Sequence, residues 1–175
     1  IFSILGNVGL NLPEGYSAND LIKKPIDVFI GYLLFDSWIA NQDRHHENWG
    51  LILNNISSLM YLSPTYDHAS SLGCHITDSE RERRMNTRDS QYNVASYVKR
   101  SKSAFFHRRK QYFSTLDALK YSLKWSKSSA EYFASMIKNL SDESILSVFN
   151  KVPKDLISKI SIDFSIAILN ENKKR

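Results

Sequence analysis

The chain has 175 residues and a mass of 20.2 kDa, 42% hydrophobic and 23% charged, a composition that fits one globular domain with a single core. No apolar run is long enough to span a bilayer, the N-terminus lacks a signal-peptide pattern, and the single cysteine, Cys74, excludes an internal disulfide. These features predict a soluble cytoplasmic protein. The net charge of +5 is local: ten Lys/Arg between Arg81 and Lys110 stand against Glu82 and Asp89, so the remainder is mildly acidic.

Residues Ile1 to Tyr16 carry Gly6, Gly9, Pro13 and Gly15, which break any long period and read as a hinge or loop continuing from another lobe. Ser17 is placed to cap a short turn ending near Lys24. Pro25 then suits the first turn of a helix over Ile26 to Ile39. Its apolar residues fall on nearly every side, and a helix apolar all round is a buried one. Asp36 within it either pairs with a loop donor such as Arg44 or touches the chemistry.

Directly after this helix comes Asn41-Gln42-Asp43-Arg44-His45-His46-Glu47-Asn48. An acid and an amide five residues apart have the spacing of a kinase catalytic loop: the Asp orients the attacking hydroxyl and the Asn holds magnesium on the nucleotide phosphates. Trp49 to Asn54 and Leu59 to Leu62 predict a hairpin turning at Asn54-Asn55. That hairpin would return Asp67 to the neighbourhood of Asn48, giving two metal-competent groups and one base.

Thr77 to Asn93 is polar and without period, and reads as a loop or a flexible activation-type segment. Helices are predicted over Tyr92 to Val98, Ala104 to Phe113, a segment containing Tyr132 to Leu140, and Asp142 to Asn150. A last helix starts at Pro153 and presents Leu156, Ile160, Phe164 and Ile168. The fold class is therefore mainly α, with a small β-hairpin carrying the catalytic and metal-binding loops.

Asn41 to Asn48, followed by Pro64, Tyr66-Asp67-His68 and Ser70-Ser71-Leu72-Gly73, resembles the C-terminal lobe of the HipA-like serine/threonine protein kinases. The likeness covers Asp27 to Gly73 and, more loosely, the helical tail. Asp43-Arg44-His45 with Asn48 also resembles the phosphatidylinositol kinases, but those carry Asp-Phe-Gly where this chain has Asp67-His68-Ala69. The resemblance implies ATP as co-substrate and Mg2+ as cofactor, held by Asn48 and Asp67, with Asp43 and His45 catalytic. It also implies a protein substrate and a toxin–antitoxin setting with an antitoxin partner. No glycine-rich phosphate loop or ATP-clamping strand lysine is present, so residues 1–175 are expected to be one lobe of a larger protein and a poor enzyme alone, or else a complete but degenerate relative.

Simpler readings stand beside these. Asp43 and Asn48 could merely cap a turn. A non-catalytic pseudokinase would use the basic surface alone. His45 either orients Asp43, places charge near the transferred phosphoryl group, or packs against a backbone carbonyl. Cys74 reads as a small buried hydrophobe, and His45, His46, Cys74 and His75 do not offer a tetrahedral zinc set. The basic segment, with Tyr92, Tyr97, Phe105 and Phe106 among its charges, is a solvated face, a recruiter of an anionic protein, or a nucleic-acid contact.

Overall fold

The chain opens with a short helix, α1 (Phe2–Leu5), and a two-residue strand, β1 (Leu10–Asn11), in a computed structural model that describes residues 1–7, 9–107 and 111–175. This opening is no loose hinge. Leu5 is fully buried, Phe2 stacks on Trp125 at 3.8 Å between centroids, and β1 pairs in parallel with a later strand. The following turn is capped by Asn19 rather than Ser17, because the Asn19 side chain accepts from the N–H groups of Leu21 and Ile22.

The central helix, α2 (Pro25–Ile39), has its predicted bounds and burial. Its N-terminus is closed by Asp27. One carboxylate oxygen accepts from the N–H groups of Lys23 and Lys24, and the other from the Ser129 hydroxyl on a distant helix. Phe29, Ile30, Leu33 and Val28 then pack into the main core with Leu5, Ile22 and Leu62. Gly31 allows close approach, since a Cβ there would lie 2.7 Å from the Phe133 ring.

After the loop come β2 (Leu51–Asn54) and β3 (Leu59–Leu62), an antiparallel hairpin in the order β1-β3-β2, with Leu51 opposite Leu62. Its turn is set by the Asn54 side chain, which accepts from Ile56 N and Ser57 N. The region expected to be a loop contains α3 (Asp78–Asn86). This helix buries no residue, so it leaves no apolar period. It stands on the Thr77 cap and on ion pairs of Arg81 with Asp78 and Arg84 with Glu80.

α4 (Val94–Arg100) follows, capped by Asn93. The helix expected over 104–113 is instead a hairpin, β4 (Lys102–His107) and β5 (Gln111–Ser114), whose connecting residues 108–110 lie outside the described residues. Adjacent Phe105 and Phe106 suit a strand, where neighbours point to opposite faces, and Phe106 is exposed while Phe105 packs on the core.

The remaining helices are α5 (Thr115–Ser122), α6 (Lys127–Lys138), α7 (Asp142–Phe149) and α8 (Lys159–Lys173). The last begins at the Ser158 cap, whose hydroxyl accepts from Ser161 N, and not at Pro153. α5, α6 and α8 pack around α2, and α3 and α4 rest on α8.

Gly73 joins the site region to α8. Its φ is +72°, and a Cβ there would meet the buried Phe164 ring at 2.7 Å. Gly73→Ala is therefore expected to destabilise the domain by about 2–4 kcal/mol, combining a left-handed backbone penalty with overpacking. An unchanged urea midpoint would contradict this packing.

Candidate active site

The buried helix ends in a left-handed residue, Ala40 (φ 53°), held under Val98, Phe164 and Ile168. Ala40 N and Asn41 N both donate to Asp36 O, which stops the helix and fixes where the next residues go. The loop that follows is built on one buried ion pair. Arg44 Nε donates to Asp36 Oδ2 at 2.6 Å and Arg44 Nη2 to Asp36 Oδ1 at 2.7 Å. Asn41 Nδ2 adds a bond to Asp36 Oδ1 at 2.8 Å. Arg44 is 1% exposed and Asp36 3%, and the fork geometry lets each satisfy the other away from water. Asp36 thus serves the loop, the first of the two roles open to it in the sequence.

The other end of the guanidinium ties two segments together. Arg44 Nη1 donates to Asn48 O at 2.7 Å and reaches Tyr66 O at 3.4 Å. One nitrogen therefore touches the carbonyl of Asn48 and the carbonyl just before Asp67. The Tyr66 hydroxyl donates to Glu47 O at 2.7 Å and reinforces the join. The hairpin returns the chain, and Arg44 fastens it.

Asp43 N donates to Asn41 Oδ1, and Asn48 Nδ2 donates to Asp43 O at 2.6 Å. These bonds use the backbone of Asp43 and leave its carboxylate, 46% exposed, facing solvent. The His45 ring stands beside it, with Nε2 3.7 Å from Asp43 Oδ1. His45 Nδ1 accepts from Glu47 N at 3.1 Å, so in the neutral ring the proton sits on Nε2 and faces the Asp43 carboxylate. His46 is exposed.

Asp67 occupies a left-handed conformation, φ 53°, at an exposed turn. The turn is set by its neighbour His68, where the Ser71 hydroxyl donates to His68 O. Arg44 is a donor only, so His68 Nδ1, 3.3 Å from Arg44 Nη2, accepts, and Nε2–H donates to Thr65 Oγ1 at 3.1 Å. Burial pushes the His68 pKa down, aided by Arg44 and opposed by Asp36 and Asp67. The ring meets Phe35 edge-on at 5.2 Å. The sequence named Asn41 and His68 only as parts of motifs. Their signal was a polar residue next to a wholly apolar helix, or next to the second acid.

Among the described residues no three His, Cys, Asp or Glu side chains gather to hold a metal. The donors on offer at the loop are instead oxygens. Asn48, 4% exposed, donates one Nδ2–H to Asp43 O and keeps Oδ1 as an acceptor, and Asp67 is an exposed carboxylate on the segment that Arg44 fastens to Asn48. Two hard oxygen groups suit Mg2+, which keeps several waters and takes few protein ligands. Cys74 is exposed, not the buried hydrophobe expected: in the same turn Gly73 and Ile76 face the Phe164 cluster while Cys74 and His75 face out, and the thiol pKa is raised, chiefly by desolvation.

No family model and no curated protein matches this chain. Among solved structures it is similar to the crystal structure of the Helicobacter pylori proinflammatory kinase CtkA, with a TM-score of 0.68 at 19% identity. The match covers 85% of this chain and 52% of that one, so the chain spans about half of that neighbour's length. At this identity the likeness is one of fold. The chain has the mostly helical architecture of the C-terminal lobe of a kinase-like fold, with the small hairpin expected from the sequence.

Proposed function

We propose that this chain is the C-terminal lobe of an ATP- and Mg2+-dependent serine/threonine protein kinase of HipA-like type. The observation that carries the reading is the Arg44 bridge. In a kinase-like fold, one buried guanidinium fixes the Asp43 to Asn48 loop to the segment that leads into Asp67. Phosphoryl transfer needs positioned groups more than covalent help from the protein. Asp43 accepts the proton of the acceptor hydroxyl and orients it, with the His45 Nε2–H facing the carboxylate from 3.7 Å. Asn48 and Asp67 would hold Mg2+, which when bound supplies charge neutralisation at the phosphates. The acceptor is a protein serine or threonine, and an antitoxin-type protein is the proposed regulator. Asp67-His68-Ala69 in place of Asp-Phe-Gly favours this reading over a lipid kinase.

Asp67→Ala in the full-length gene product is expected to weaken Mg2+-dependent nucleotide binding at least about tenfold. Calorimetric titration with and without Mg2+ measures it. A titration identical to wild type would remove Asp67 from the ligand set. Transfer of phosphate from ATP to lipid but to no protein would replace the protein-kinase reading.

A further inference from the structure

Beside the catalytic loop, Gln42, Arg84, Tyr97, Arg100 and Ser101 line a polar cavity of about 130 Å³. Gln42 immediately precedes Asp43, and its N–H is fixed to Ser70 O. The cavity therefore opens one residue from the group proposed to orient the acceptor hydroxyl. An extended peptide covers roughly 3.4 Å per residue, so a side chain lodged here belongs to the same short segment as that hydroxyl.

Two arginines line this cavity, and they differ. Arg84 is rigid: Nε and Nη2 donate to Glu80 Oε1 at 3.0 and 2.7 Å, and Nη1 donates to Tyr92 O at 3.2 Å. Its Cζ lies 4.2 Å from the Tyr92 ring centroid and 5.2 Å from that of Tyr97. Arg100 is exposed and donates to a neutral group, Gln91 Oε1, at 3.3 Å. Glu80 offsets the Arg84 charge, and Arg83 stands over the Tyr92 ring at 4.9 Å but is not part of the lining, so the lining itself holds one arginine bonded only to a neutral amide, Arg100. That matches a single carboxylate. A phosphate ester would bring nearly two negative charges. Guanidinium is also the group whose fork fits a carboxylate.

We propose that this cavity is a specificity pocket for an aspartate or glutamate within three residues of the phosphoacceptor on a protein substrate, with Arg100 as its contact. The assignment rests on the protein-kinase reading above and names a substrate class for it.

The test uses serine-centred fluorescent peptides with one Asp placed in turn at each of the three positions on either side, each beside an Asn counterpart. Anisotropy with the full-length gene product at low salt reads binding without requiring catalysis. At one position the Asp peptide is expected to bind about tenfold tighter than its Asn counterpart. That ratio falls to near one in Arg100→Ala and Arg100→Glu and is partly kept in Arg100→Lys. No preference at any position, or one that survives Arg100→Glu, overturns the pocket. An oligouridylate that outcompetes every Asp peptide through Arg100 overturns it in favour of nucleic acid. Phosphate transfer on the same peptides separates the two claims. Arg100-dependent binding without transfer keeps an acidic-peptide site at Arg100 and removes the kinase reading. Transfer with equal KM for Asp and Asn peptides removes the pocket and keeps the kinase reading.

Discussion

Asp43→Ala is expected to lower phosphate transfer from ATP by the full-length protein about 10²–10⁴-fold, the range for losing a positioned proton acceptor. The same variant should melt within about 0.5 kcal/mol of wild type, because the side chain is half-exposed. The bonds that shape the loop here use the backbone of Asp43: its N–H goes to Asn41 and its carbonyl receives Asn48. Activity and stability are thus separable at this position. Labelling of a protein acceptor with radioactive ATP, set beside a urea titration, measures both. Undiminished labelling would remove Asp43 from the mechanism, and an unfolded variant would assign it a structural role instead.

The opposite pattern is expected seven residues back, in the last turn of α2. Asp36→Ala leaves Arg44 buried with its charge uncompensated, which costs about 3–5 kcal/mol. Three donors lose their acceptor together: Nε and Nη2 of Arg44 and Nδ2 of Asn41. A double substitution, Asp36→Leu with Arg44→Met, is expected to recover most of that stability, since apolar side chains of similar volume can replace a buried pair. It should not recover activity, because nothing then joins Asn48 O to Tyr66 O. Urea midpoints and transfer rates of the three proteins form the check. A stable Asp36→Ala protein, or a double variant with wild-type transfer, would show that the bridge does not position the site.

Much of this arrangement was legible in the sequence because it depends on strong, local signals. The helix over Pro25–Ile39 shows itself by apolar residues on every face, and the hairpin by two short apolar runs around Asn54-Asn55. Asp36 was conspicuous because an acid inside such a helix needs a partner, and Arg44 was near enough in sequence to be named. Other parts left no such mark. α3 is held by a threonine cap and surface ion pairs, so its pattern is that of a polar loop. The β4–β5 hairpin shares its aromatic and basic residues with a short helix, and only long-range pairing decides between them. The start of α8 turned on a Ser158 cap rather than on Pro153, two signals of similar strength. Arg44's contact with Tyr66 O joins residues 22 apart, and no periodicity could show it.

The decisive measurement is a crystal structure of the full-length protein with Mg2+ and a non-hydrolysable ATP analogue. An ion bound by Asn48 Oδ1 and an Asp67 carboxylate oxygen at about 2.1 Å each is expected, with the terminal phosphate facing Asp43. An ion held by other residues, or an analogue bound away from the loop that Arg44 secures, would contradict it.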